Sequence, residues 1–129
     1  MHDRTVISTT AAPAAIGPYS QAIRAGQYVF LSGQIALDPG TGQLVGDDAA
    51  AQTRQVMANL AAVLDAAGVS LEHVVRCTIF LTDMADFAAM NAVWDAWIDP
   101  ANPPARACVQ TTALARPDLT VEIMATAAR

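Results

Sequence analysis

Charge is scarce in this chain. Only 15% of its 129 residues are charged, against 53% hydrophobic. So thin a polar surface on so small a protein leaves two outcomes: a membrane protein, or an oligomer that buries a face of each subunit. No uninterrupted run approaches the roughly 18 apolar residues that a membrane-crossing helix needs, so the membrane outcome is set aside. An oligomer is expected.

Other absences narrow the chemistry. Cys77 and Cys108 form neither a CxxC pair nor a Cys/His metal spacing, so no metal site is expected. Met1-His2-Asp3-Arg4-Thr5 shows no basic patch followed by an apolar stretch. Two thiols without a secretory pattern lead to the expectation of a reduced, cytoplasmic protein. A net charge of −5, with seven Lys and Arg, lacks the footprint of nucleic-acid binding. It leaves room for a local basic spot that grips a small anion. There is no GxGxxG, P-loop, HExxH or GxSxG pattern. Both histidines, His2 near the terminus and His73 after Ser70, read as solvent-facing bystanders. A His-based triad and a ribonuclease built on a His pair are therefore disfavoured.

What is present reads as one domain, 1–129, with no linker or low-complexity block. Strands are expected at Thr5–Thr9, Gln21–Ala25 and Tyr28–Ile35, with a Pro/Ala/Gly loop at Ala11–Pro18 and a turn at Asp38–Gly42. Asp47 or Asp48 caps a helix that runs to Ala67 and stops at Gly68. Val56, Leu60, Val63, Leu64 and Ala67 form its apolar stripe. Val74–Leu81 is the clearest strand, with Val75, Cys77, Ile79 and Leu81 on the face under the helices. A second helix starts near Thr82-Asp83 and carries Phe87, Met90, Val93, Trp94 and Trp97. Two last strands follow, Arg106–Thr112 and Leu119–Ala127. The order ββ(β)αβαββ is an α+β fold, a mixed sheet with two helices packed on one face. The other face of Val74–Leu81 is too apolar for open water, so burial against other subunits is expected.

Polar residues planted in apolar strands are the candidates for chemistry. Alternation puts Arg106, Cys108 and Gln110 on one face, and isolates Glu122 from Leu119, Val121, Ile123 and Ala125. If the last two strands form a hairpin pairing 108 with 122, Glu122 shares the face of Arg106; a shift by one residue puts it on the wrong side. Ser32 lies beside Gly33, which leaves room for a close neighbour. On pattern alone, a plainer account competes for each. Arg106 and Glu122 could be a structural ion pair, Ser32 and Cys108 small core residues, Tyr19 a plug at the sheet end and Asn91 an ordinary helix residue.

Five separated motifs tilt that balance: Ala12–Ala22 with Gly17-Pro18-Tyr19-Ser20-Gln21, Leu31–Ile35, Phe87–Asn91, Pro104–Val109 and Val121–Ile123. Together and in order, they resemble the Rid family (RidA/YjgF type) over nearly the whole chain. The resemblance implies a chorismate-mutase-like fold, a homotrimer with sites between subunits, and no cofactor or metal. It implies hydrolysis of enamine/imine intermediates such as 2-aminoacrylate to 2-keto acids and ammonia. By the same resemblance, Arg106 matches the arginine that binds the substrate carboxylate, and Glu122 the acid that positions water. Tyr19, Ser32 and Asn91 match pocket residues, and Cys108 a position where mainly the backbone touches ligand. Pro103, where the family often has an aromatic residue, and a 111–118 loop about one residue longer are departures that bear on substrate preference. Two competing readings are a non-enzymatic trimeric module, binding small carboxylates or acting like a chaperone, and a ribonuclease or translation inhibitor.

Overall fold

A computed structural model describes residues 4–129 of the chain, so His2 lies outside the described residues. Six strands and two α-helices alternate in the expected order. They are β1 Arg4–Ile7, β2 Ala22–Ala25, β3 Tyr28–Gln34, α1 Ala49–Ala66, β4 Val74–Leu81, α2 Phe87–Trp97, β5 Ala105–Gln110 and β6 Val121–Ala128. The strands make one mixed sheet in the order β1-β2-β3-β6-β4-β5. All neighbours are antiparallel except β4 and β5, which α2 joins as a parallel crossover.

Local chemistry sets the helix ends. Asp48, not Asp47, caps α1, accepting from the Ala51 N–H at 2.9 Å. Gly68 ends it with φ +76, a conformation that costs glycine little. α2 begins later than the sequence signal. Asp83 accepts from the Ala85 N–H and opens a single 3-10 turn, Met84–Asp86, which leads into the helix at Phe87. β1 is shorter than expected because the Thr9 N–H is taken by the Gln21 side chain instead of a strand partner.

The core lies between the helices and one sheet face. The α1 stripe of Val56, Leu60, Val63, Leu64 and Ala67 is buried, as are Cys77, Ile79 and Leu81 of β4 and Val121, Ile123 and Ala125 of β6. Each large aliphatic side chain so buried contributes about 1.5–3 kcal/mol of transfer free energy. Val75 departs from the expected face. The register shifts between Val74 and Arg76, so Val74 turns inward and Val75 is exposed. The opposite sheet face carries no helix. Val6, Tyr28, Phe30, Val109 and Met124 stand exposed on it.

Candidate active site

The candidate residues fall into two groups on opposite faces of the sheet. The first is built around Arg106 on β5, an edge strand bonded only to β4. Arg106 is in register with Cys77 and therefore points to the helix-covered face. There α2 meets it with three residues spaced i, i+4 and i+7. Asn91 Oδ1 accepts a 2.6 Å hydrogen bond from Arg106 Nη1. The guanidinium carbon also lies 5.7 Å from the Phe87 ring centre and 5.1 Å from that of Trp94. Such cation–π contacts are worth about 0.5–1 kcal/mol at exposed sites. No carboxylate pairs with Arg106; among the described residues the ion pair found is Arg116 with Asp118. The cation is thus oriented but not neutralised.

Cys108, two residues on, shares that face and is partly buried. Burial raises its thiol pKa, with Arg106 opposing in part. Cys77 behind it is pushed up to about 12 by burial, again with Arg106 opposing. Neither thiol is a ready nucleophile at neutral pH.

The second group surrounds Glu122. A cavity of about 310 Å³ is lined by Tyr19, Ser32, Gly33, Gln34, Ala115 and Glu122, with apolar walls from Pro13, Ile16 and Ile35. Ser32 Oγ donates to the Ser20 carbonyl at 2.6 Å, and Tyr19 remains half exposed at the mouth. Glu122 is half-buried, which raises its carboxyl pKa, and no protein donor or cation reaches it among the described residues. Its carboxylate lies across Gly33. A Cβ on Gly33 would overlap Oε2 and come within 2.9 Å of Cδ, so any larger residue there would displace the Glu122 carboxylate. Another depression, about 450 Å³ beside Trp97 and Ile98, contains none of the candidate residues.

The hairpin condition fails. β5 and β6 are not partners, because β4 lies between them. Phe80 of β4 is in register with Glu122, whereas Cys77 is in register with Arg106. An even-numbered and an odd-numbered position of one strand face opposite ways, so the two charges stand on opposite faces of the sheet. This also removes the structural ion pair as an account of either residue. The structure brings Tyr19, Ser32 and Glu122 together, and separately Arg106, Asn91 and Cys108. Sequence reasoning missed the aromatic support of Arg106, since Phe87 and Trp94 read as core stripe. Their helical spacing with Asn91 was the available signal. His73 accepts a hydrogen bond from the Ser70 N–H at 3.1 Å, in the turn before β4 and apart from both groups.

No helix among the described residues is long and apolar enough to cross a membrane. Similarity to known proteins is broad. Residues 9–129 match the family model described as Endoribonuclease L-PSP. Protein DfrA of Myxococcus xanthus is 56% identical over 115 residues, covering 88% of this chain and 87% of DfrA. The 2-iminobutanoate/2-iminopropanoate deaminase of Salmonella typhimurium is 44% identical, covering 95% and 96% of the two chains. Among solved structures, RidA of the Antarctic bacterium Psychrobacter sp. PAMC 21119 superposes with a TM-score of 0.92 at 42% identity, covering 97% and 99%. Match and geometry agree with the α+β sheet and its two helices, and the chain belongs to the Endoribonuclease L-PSP family, the Rid family.

Proposed function

We propose that this chain is a hydrolytic deaminase of small enamine/imine carboxylates of the 2-aminoacrylate type. Its site is completed where the arginine group of one copy meets the acid group of another, in a homotrimer. The observation that carries this reading is the pair of unfinished charges. Arg106 is oriented by Asn91, Phe87 and Trp94 yet has no anion. Glu122 sits half-buried in a cavity with no donor. Each lacks the partner that a substrate would bring, and one chain cannot bring both to one substrate across its own sheet. The uncovered apolar face and the free edge of β5 offer surfaces for such an assembly. The names of the deaminase relatives favour the same chemistry.

In this mechanism the planar guanidinium grips the substrate carboxylate through two charge-assisted hydrogen bonds, which fixes the imine carbon. Glu122 accepts a proton from a water molecule as that water attacks the carbon. Glu122 returns that proton to the nitrogen, giving the carbinolamine. Its hydroxyl proton then passes to the nitrogen as the C–N bond breaks, releasing ammonia and leaving the 2-keto acid. Imines hydrolyse without help, so orientation and water placement are what the protein supplies. Tyr19 and Ser32 provide hydroxyls near the imine nitrogen or the water. The residues named require no cofactor for this step. A ribonuclease reading, suggested by the family's descriptive name, is disfavoured by the net charge of −5, and His73 stands apart from both groups of candidate residues.

The test couples a serine dehydratase, which releases 2-aminoacrylate, to this protein and follows pyruvate. Wild type is expected to outpace spontaneous hydrolysis. Arg106→Ala should abolish the acceleration with an unchanged circular dichroism spectrum, and a fully active variant refutes the assignment. If wild type accelerates no small imino acid but binds small carboxylates, the protein is a binding module instead.

A further inference from the structure

The cavity around Glu122 is walled by irregular segments, and each is held by one almost fully buried amide. Gln21 donates to the carbonyls of Thr9, Ala12 and Pro13. Asn59 donates to those of Ile35 and Leu37, both at 3.0 Å. Gln52 of α1, 1% exposed, serves the third wall. Its Nε2 donates to Asp118 O at 2.9 Å and Gly46 O at 3.3 Å. Its Oε1 accepts from the Thr120 N–H at 2.8 Å and from Thr120 Oγ1 at 3.0 Å.

Gln52 differs from the other two amides in what lies on either side of its anchor points. Upstream is Ala115, a wall of the cavity; downstream, two residues past Thr120, is Glu122 itself. The Glu122 side chain makes no hydrogen bond among the described residues, so its place is set by the first residues of β6, where Val121 and Glu122 pair with Leu81 and Phe80 of β4 just past Thr120, and by contact with Gly33. We infer that Gln52 is a positioning residue for the acid group and, through the β5–β6 loop, a determinant of which substrate side chains fit. This rests on the deaminase reading above. It acts at a distance: Gln52 touches the loop, and the loop and Glu122 touch substrate.

The readout is a selectivity ratio, because a merely structural loss lowers all rates together. Wild type and variants are compared on 2-aminoacrylate and on the bulkier imino acid made from leucine by an L-amino-acid oxidase. Gln52→Met keeps the volume and makes none of the four bonds. It should lower kcat/KM for the small substrate and shift the small-to-large ratio by about fivefold or more toward the large one, as expected for a displaced wall. A folded Gln52→Met with an unchanged ratio overturns the proposal. Should that variant not fold, Thr120→Val deletes only the Oγ1 bond; a shift of about twofold in the same direction supports the inference and no shift overturns it. If wild type accelerates neither imine, the deaminase reading has failed instead.

Discussion

At Gly33 and Glu122 one side chain is possible only because another is missing. The carboxylate occupies the space of a Gly33 side chain, so Gly33→Ala forces β3 or Glu122 to move. The atoms met are the end of a flexible, half-buried side chain beside a cavity, so the cost to the fold lies at the low end of the range for core overpacking, about 1–3 kcal/mol. The expected outcome is a folded protein with a lowered Tm and a kcat reduced at least tenfold; normal kcat would show that the Glu122 position does not matter. The Glu122 pKa, raised by burial, makes a second prediction. Its folded value lies above its unfolded one, so the fold favours the protonated form. That stabilisation is complete below the unfolded pKa and lost as pH rises through the folded value. At neutral pH the ionised group therefore weakens the fold. Glu122→Gln should raise Tm at pH 7, and the gap should close as pH falls below about 4, the ordinary glutamate range. The same variant should lose roughly 10²–10⁴ of the catalysed rate, the usual worth of a general base. In wild type, activity should fall with acid through a pKa above that of an ordinary glutamate. A Tm at pH 7 that does not rise would contradict the account.

At the level of elements, much was legible because the signals were local. The stripe on α1, the strand Val74–Leu81 and the stop at Gly68 follow from periodicity and turn chemistry, and the structure keeps them. What the sequence could not supply was partnership between strands. Adjacent strands suggested a hairpin, yet β6 inserts between β3 and β4 while α2 carries β5 to the far edge. No local pattern encodes that choice, and it moved Glu122 to the other face from Arg106. The platform under Arg106 was likewise hidden, because Phe87 and Trp94 obey the same helical period as core residues. Phe87→Leu should keep the helix but loosen the guanidinium. KM should rise about two- to fivefold with kcat nearly unchanged, matching a cation–π contact of about 0.5–1 kcal/mol. An unchanged KM would mean that Asn91 and Trp94 alone orient Arg106.

For the whole molecule, the scarcity of charge has a structural counterpart. One sheet face is sealed by α1 and α2, while the other leaves Val6, Tyr28, Phe30, Val109 and Met124 uncovered beside Glu122. The sequence anticipated this face from the mixed character of β4. The split site and the open face point to the same remedy, a second copy of the chain. The direct measurement mixes Arg106→Ala and Glu122→Gln subunits, each inactive alone, by unfolding and refolding them together. In a ring of head-to-tail contacts, random mixing pairs an intact arginine group with an intact acid group at about a quarter of the interfaces. The account predicts deaminase activity returning to about a quarter of the wild-type level at a one-to-one ratio. Mixtures that stay as inactive as their components, despite mixed assembly, would contradict it.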